Sequence, residues 1–532
     1  MKRIQIKGRR PLQTRPKRSR VNFYLLSLLL AAALLRFHAL SADIRFHPDE
    51  ALFTTFARNI WTQGDWSLQG DLDKPPLTIY ANALSLAFVA ATYNRGVPDF
   101  DARVGEFAAR LPSVLASLIQ IAAVYALSKR LYGISIARWA ALFFALSPLA
   151  IAYSPGAYTD GVMLMFTSLA LLMSAAHRPL WAGLWLALAF ASKQQALYVV
   201  PLCLLLLFIQ NNALTITRHH QEENLLPSSN SGRDKSFSLS VYQGWGQLLR
   251  FMLPLILVYI ALLLWDSARF PSPSIFALAA ANNTPTGLIT PDQLAPRLID
   301  WLIYLQAILG APTILLLFFV PIATIWRVIR QRDARETDYD TLLFAFIVVY
   351  LLAHWLIAFN IYERYLLPIL PLVAIMAART CAWLWAMLRR AITQPEMTVA
   401  AGALVLSLIS SAINASSGDT PYNSERVQYA GIIALADTLN DLPTATVIYD
   451  HWLGWELGYY LGGWHDKRRV YYPTPDALVR DALILPESDP RYFVAPSSVD
   501  ARAWLSALES AGFTTERVYA AQSYVVYRLT PP

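Results

Sequence analysis

The sequence predicts a polytopic α-helical membrane protein with a small α/β domain at its carboxyl end. Of its 532 residues, 56% are hydrophobic and only 15% are charged, whereas about 25% of residues are charged in soluble globular proteins. A soluble protein of this composition would expose large apolar patches, which promote aggregation. Apolar runs long enough to cross a bilayer core about 30 Å thick recur up to residue 413, and the composition then changes.

The first 21 residues form a basic tail that we predict to be cytoplasmic. They hold nine basic residues and no acid, so the net charge of +8 belongs to this tail and the remaining chain is nearly neutral. A basic tail before a first span marks the cytoplasmic side and binds anionic lipid. No basic face suited to nucleic acid is present. The basic residues are Lys2, Arg3, Lys7, Arg9, Arg10, Arg15, Lys17, Arg18 and Arg20.

About eleven membrane spans are predicted. Lys and Arg are enriched in alternate loops between them, which places the N-terminus in the cytoplasm and the C-terminus outside a cell (plasma) membrane. Residues 211–246, rich in Ser, Asn and Gln, read as a flexible cytoplasmic linker within the transmembrane domain of residues 22–413. The candidate spans are 22–42, 108–128, 134–153, 160–176, 179–192, 195–210, 247–265, 299–327, 341–359, 364–386 and 397–413.

Residues 414–532 predict an extracytoplasmic α/β domain. They contain nine basic and fourteen acidic residues and strand-like runs such as ATVIYD, RYFVA and SYVVYRL. Helical patterns, ERVQYAGIIALADTLN and DARAWLSALESAG, lie between these runs. Alternation of strands and helices over such a short length is typical of an α/β domain.

The outer loop of residues 43–107 contains the first candidate site residues. Asp49 and Glu50 follow Pro48, which suits the first turn of a helix, and the helix dipole favours carboxylates there. The apolar residues that follow recur at helical spacing and predict an interfacial amphipathic helix. Lys74 precedes two prolines in the same loop. These residues have a second explanation, since acids cap helices and lysines bind headgroups.

Other charged residues lie at the outer ends of different spans. Asp160 begins a hydrophobic helix, and an acid at membrane depth indicates a functional site. Arg110, Lys193 and Arg364 lie at the outer ends of three further runs. Each alone is explained by capping or by snorkelling to the headgroups. Their shared depth and side predict one common site.

These residues also carry a family resemblance. The stretches HPDEALFTTFARNIWTQGDW with DKPPL, EFAARLPSVLASL, SPGAYTDGVMLMFTSLAL, ASKQQALYVVPL and RYLLPILPL resemble GT-C glycosyltransferases. The most similar branch is the group of protein O-mannosyltransferases and aminoarabinose-lipid A transferases. The resemblance spans about residues 22–386 in order. One departure is Ser192-Lys193-Gln194, where the family usually has Thr-Lys-Gly.

The resemblance implies a GT-C fold and an inverting transfer from a polyprenyl-phosphate sugar to an acceptor hydroxyl on the outer face. The acceptor is a protein, lipid or glycan, and the enzyme is a hexosyl- or pentosyltransferase. No metal ligand and no obligatory cofactor are implied, although a divalent metal is compatible. The implied residues are Asp49 as general base, Glu50 supporting it, Asp160 orienting a substrate, and Lys74, Arg110, Arg364 and Lys193 binding the donor phosphate.

Two other classes of protein remain alternatives, and one aromatic motif has two interpretations. A transporter or lipid flippase would place charges near the bilayer midplane and show repeats, whereas a receptor-like protein would leave the acid pair without a role. The run DHWLGWELGYYLGGWH at 450–465 is rich in aromatic residues. It predicts either the buried aromatic core of the α/β domain, including a seam where that domain contacts the membrane domain, or a surface on which sugar rings stack. His47 is interpreted as a structural hydrogen bonder.

Overall fold

The structure, a computed structural model, describes most of the chain beyond the basic tail. The predicted tail lies outside the described residues, as do residues 211–230 of the predicted linker. Described are residues 22–94, 97–209, 231–285, 287–310, 314–330, 335–418, 429–461, 466–521 and 523–532.

The chain is mainly helical as far as residue 416. The helices of the first half are α1 (Phe23–Leu40), α2 (Pro48–Thr62), α3 (Leu77–Val89), α4 (Ala102–Tyr132), α5 (Ile134–Ala145), α6 (Pro148–Tyr153), α7 (Asp160–Ala175), α8 (Pro179–Ser192) and α9 (Gln194–Ile209). A two-stranded antiparallel hairpin interrupts the helices between α3 and α4. Its strands are β1 (Ala91–Asn94) and β2 (Val97–Phe100). The helices of the second half are α10 (Ser231–Ser267), α11 (Ile275–Asn283), α12 (Leu294–Leu309), α13 (Ile314–Arg330), α14 (Arg335–Leu356), α15 (Leu370–Leu388) and α16 (Gln394–Ser416).

Six of the described helices are long and apolar enough to cross a membrane, and a seventh span results if α12 and α13 count as one. Five shorter apolar helices, α3, α5, α7, α8 and α9, accompany them. A span needs about 20 residues unless other helices surround it, so the predicted number of eleven stays a prediction. The apolar core of α4, α5, α7, α8 and α15 is continuous and buried.

Three predictions about the membrane region need correction. Residues 231–246 belong to α10 and are helical, so the predicted flexible linker is wrong there; its polar residues continue a helix whose apolar part begins later. The run 299–327 is divided between α12 and α13, and the run 134–153 between α5 and α6. Ser147 caps α6 by accepting a hydrogen bond from the Ala150 amide, and Pro148 follows at the first helical position. Hydropathy alone does not detect such breaks.

Strands and helices alternate in the carboxyl-terminal part, as predicted. A five-stranded sheet has the order β4-β3-β5-β7-β6. Strand β3 pairs in parallel with β4 and β5, and β7 pairs antiparallel with both β5 and β6. The elements are α17 (Ile432–Asn440), β3 (Val447–Asp450), α18 (Gly454–Tyr460), β4 (Arg468–Val470), α19 (Pro475–Ile484), β5 (Arg491–Pro496), α20 (Arg502–Ser510), β6 (Thr514–Ala521) and β7 (Tyr524–Thr530).

Helix α18 joins this part of the chain to α2 and the residues before it. Arg58 of α2 donates hydrogen bonds to the backbone carbonyls of Gly458 and Tyr459. The Phe46 amide donates to the Tyr460 hydroxyl at 2.8 Å, and the Phe46 ring packs edge-on against Tyr459 at 4.8 Å. The carboxyl-terminal end of α18 is thereby held against α2 and the residues just before it.

Candidate active site

The first turn of α2 fixes the acid pair in place. His47 Nδ1 accepts a hydrogen bond from the Asp49 amide at 3.1 Å, and Glu50 Oε2 accepts one from the His47 amide at 3.1 Å. This reciprocal capping box satisfies two amides at the helix start. It confirms the predicted helix start at Pro48. It also gives His47 the structural role predicted for it.

Glu50 and Arg110 form a buried ion pair behind the acid turn. Glu50 is fully buried and accepts from Arg110 Nε at 2.9 Å, from its terminal nitrogen at 3.2 Å and from the Ala157 amide at 2.9 Å. Arg110 also donates to the carbonyls of Ile44 and Arg45. The donors of its guanidinium are thus engaged by acceptors within the protein. The structure does not bring Arg110 to the cavity with the other predicted phosphate-binding cations.

A cavity of about 450 Å³ contains the other predicted site residues. It lies between the start of α2, the start of α7, the break between α8 and α9, and the turn before α15. This volume is in the range of small-molecule sites. Four carboxylates and three cations line it: Asp49, Asp71, Asp73, Asp160, Lys74, Lys193 and Arg364.

Arg364 contacts Asp49 within the cavity. Its terminal nitrogen donates to Asp49 Oδ2 at 2.7 Å, and 38% of the Asp49 side chain remains exposed. The guanidinium stacks on the rings of Tyr158 and Tyr362 at 5.5 and 5.0 Å. Among the described residues its Nε has no hydrogen-bond partner although it is buried. Arg364 is therefore held in place and keeps a donor for a further acceptor.

Asp160 and Lys193 form a second pair. The Lys193 ammonium donates to both carboxylate oxygens of Asp160 at 2.8 and 2.9 Å. Close approach of α7 to α4 positions Asp160, because a Cβ added at Gly161 would lie 2.9 Å from the Ser113 Cβ. Lys193 lies in extended backbone at the break between α8 and α9. The predicted polar break is thereby part of the cavity wall.

The electrostatic surroundings keep Asp49 ionised. Burial by itself would raise the pKa of Asp49, but the charges of Arg364 and Lys193 and the Arg364 hydrogen bond outweigh it. The pKa of Asp49 therefore lies below its ordinary value.

Sequence reasoning missed two acids in this cavity, whereas Trp455 belongs to the aromatic run that it singled out. Asp71 and Asp73 precede Lys74, and Lys74 pairs with Asp73; the acid-rich run DLDKPP was a signal for them. Trp455 of α18 also lines the cavity. Among the residues that the structure describes, no three His, Cys, Asp or Glu side chains are grouped to hold a metal ion.

A second cavity of about 470 Å³ adjoins the first. The two share Lys74, Lys193 and Tyr365 in their walls. Apolar and aromatic residues of α9, α11 and the segment after α14 line the second cavity. They are Leu197, Tyr198, Ala279, Ala280, Pro285, Ala358 and Phe359.

The aromatic run at 450–465 divides between a seam and an open surface. Tyr459 and Tyr460 are buried against α2 and α4, where Tyr460 donates to Glu106, as the seam interpretation predicts. Trp452 and Trp455 are instead 64% and 47% exposed. Trp464 and His465 lie outside the described residues.

Residues 102–221 match the family model for dolichyl-phosphate-mannose-protein mannosyltransferase. No curated protein sequence matched significantly. The fold is similar to ArnT from Cupriavidus metallidurans in the apo state, with 13% identity, a TM-score of 0.57, and coverage of 95% of this chain and 98% of ArnT.

Two further structures share the fold. ArnT from Cupriavidus metallidurans bound to undecaprenyl phosphate matches with 13% identity and a TM-score of 0.57, over 96% of this chain and 98% of ArnT. The Archaeoglobus fulgidus oligosaccharyltransferase tethered with an acceptor peptide matches with 13% identity and a TM-score of 0.52, over 95% of this chain and 74% of the other. These findings confirm the predicted resemblance to GT-C glycosyltransferases of the O-mannosyltransferase and ArnT-like group.

Proposed function

We propose that the protein is a membrane glycosyltransferase that moves a sugar from a polyprenyl phosphate to an acceptor hydroxyl with inversion. We place the reaction on the outer face of the cell membrane, with the N-terminus in the cytoplasm. The observation that carries the proposal is the pair of adjoining cavities with cations at their junction. Relatives of the same fold support it, since one is described with undecaprenyl phosphate and another with dolichol phosphate.

The two cavities match the three parts of such a donor. The apolar and aromatic part of the second cavity, with Leu197, Tyr198 and Phe359, suits the first isoprene units. Lys74 and Lys193 at the junction, together with Arg364, suit the phosphate, whose charge increases as it leaves. The carboxylates of the first cavity suit sugar hydroxyls, which donate hydrogen bonds to them. Glu50 and Arg110 take a positioning role in this arrangement, because they hold the turn that carries Asp49.

In the proposed reaction Asp49 removes the proton of the acceptor hydroxyl. The acceptor oxygen then bonds to the anomeric carbon, while the bond from that carbon to the phosphate oxygen breaks. Prenyl phosphate leaves with the electron pair, and the cations stabilise its added charge. Asp160, held by Lys193, orients the reacting sugar.

Donor binding also activates the base in this proposal. Without donor, Lys74, Lys193 and Arg364 are each paired with a carboxylate. A bound phosphate competes for the free Nε and the terminal nitrogens of Arg364 and weakens its contact with Asp49. The pKa of Asp49 then rises towards the range where it accepts a proton more readily.

The pH dependence of transfer tests this exchange. Activity requires ionised Asp49, so the rate falls as the pH decreases through the pKa of Asp49. We expect the acidic limb of kcat/KM for the donor, which reports the protein before donor binding, to lie below the ordinary pKa of an aspartate. The limb of kcat, which reports the donor complex, should lie at higher pH. Coincident limbs would contradict the exchange of partners.

Photocrosslinking tests the donor site without knowledge of the sugar. A polyprenyl phosphate with a diazirine in its first isoprene units is expected to label the second cavity, at residues such as Leu197, Tyr198 and Phe359. Unlabelled prenyl phosphate should suppress these adducts, and Arg364→Gln should weaken them. Adducts confined to the outer surfaces of α10 and α16, insensitive to competition, would contradict the proposed site.

A further inference from the structure

Trp452 has a backbone conformation that is unusual for a bulky residue. Its φ is 60°, in the left-handed region where side chains other than those of Gly, Asn and Asp are strained. Its indole is nevertheless 64% exposed, so burial of the ring does not compensate for the strain. Strained residues of this kind are concentrated at functional sites.

The sheet topology places Trp452 beside a second exposed ring. Strands β3 and β4 are parallel and paired, and Trp452 and Tyr471 directly follow their carboxyl ends. The two rings lie 5.5 Å apart. Arg469 and Asp450 connect the same strand ends at 3.5 Å. Open α/β sheets bind their ligands at the carboxyl edge of parallel strands.

Trp455 connects this edge to the catalytic cavity. It follows Trp452 by three residues, so the two Cα atoms are at most about 11 Å apart. Trp455 is 47% exposed and lines the cavity that contains Asp49 and Arg364. Helix α18 is held against α2 by Arg58, which fixes the relation between Trp455 and the acid turn.

We propose that Trp455, Trp452 and Tyr471 form an aromatic strip that binds the saccharide of a glycan acceptor. The inference rests on the proposed transfer reaction and narrows its acceptor from protein, lipid or glycan to a saccharide chain. The reacting hydroxyl lies in the cavity near Asp49, and the following sugar units lie along the strip towards Tyr471.

The chemistry of the strip favours a saccharide. A pyranose ring presents an apolar C–H face that stacks on indole and phenol rings, while its rim of hydroxyls needs hydrogen-bonding groups. Exposed rings provide the first requirement. The carboxylates of Asp49, Asp71 and Asp73, at the cavity end of the strip, provide the second for the terminal sugar.

Binding to an oligosaccharide array tests the inference with the purified full chain and without donor. The probes are immobilised oligosaccharides of glucose, mannose, galactose and N-acetylhexosamines. We expect the wild type to bind a subset of them, and Trp455→Ala to bind it roughly tenfold or more weakly, as for a central aromatic anchor. Trp66→Ala removes an indole of similar exposure outside the strip, and we expect it to bind normally.

A second variant separates binding from folding. Trp452→Gly should fold about as stably as the wild type, because relief of the positive-φ strain offsets the greater entropy that glycine gives the unfolded chain, yet it should lose binding by a similar factor. A structural role for Trp452 predicts the reverse, with lower stability and normal binding. Absence of glycan binding by the wild type, or unchanged binding in both strip variants, would overturn the inference. Release of prenyl phosphate in that same preparation would leave the proposed transfer reaction standing.

Discussion

Replacement of Asp49 by asparagine is expected to lower the rate of sugar transfer by about 10²–10⁴-fold, the usual contribution of a general base. Asparagine has nearly the same size and can still accept a hydrogen bond from Arg364, but it cannot take up the acceptor proton. The melting temperature should change little, since the contact with Arg364 lies at a partly exposed side chain and such pairs contribute little to stability. Steady-state transfer by the purified variant measures the effect.

Asp160→Asn is the matched comparison for this experiment. Asp160 is the other predicted acid of the cavity, and it is held by Lys193. If it orients a substrate, its loss should reduce the rate less than the loss of Asp49. If each acid serves only the amino-terminal end of its own helix, neither substitution will change the rate by more than a few-fold.

Separation of Glu50 from Arg110 is expected to destabilise the protein strongly. Glu50→Gln leaves a guanidinium buried without its counter-charge, and breaking a buried ion pair typically costs about 3–5 kcal/mol. Arg110→Lys should also be destabilising, because one ammonium cannot reproduce donation to Glu50, Ile44 and Arg45 together. Thermal unfolding in detergent measures both effects.

Arg364→Lys provides the contrast with Arg110→Lys. Arg364 faces the cavity, so its replacement should leave the melting temperature close to that of the wild type and weaken prenyl phosphate binding. The folded fraction of Arg110→Lys should bind prenyl phosphate within a few-fold of the wild type. If Arg110→Lys had normal stability and a large loss of donor affinity, Arg110 would bind the donor phosphate, as the sequence alone predicted.

Local features of the fold were predictable from the sequence because they depend on nearby residues. Pro48 before two acids predicted the start of α2, and short strand-like runs predicted β3, β5 and β7. Other features depend on distant contacts. The polar start of α10 gives no apolar pattern, and strands β4 and β6 are largely exposed, so neither has a strong hydrophobic signal.

The membership of the site was largely predictable, but its pairing was not. Asp49 meets Arg364 across 315 positions in the chain, and Glu50 meets Arg110 across 60. Spacing carries no information about such contacts. For this reason Arg110 could not be separated from the phosphate-binding cations by sequence. The same limit applies to the aromatic run, where Tyr459 is buried and Trp455 faces the cavity although both belong to α18.

Release of prenyl phosphate tests the central proposal most directly. Purified wild type and Asp49→Asn are incubated with polyprenyl phosphates that carry different hexoses and pentoses, together with a mixed envelope extract as the source of acceptor, and mass spectrometry follows the products. The proposal predicts that the wild type releases prenyl phosphate and attaches the sugar to an acceptor, and that Asp49→Asn does so at least 10²-fold more slowly. The proposal would be contradicted if the wild type bound the donors but cleaved none of them. It would also be contradicted if both proteins released prenyl phosphate at the same rate. Movement of intact donor across vesicle membranes instead would indicate a flippase.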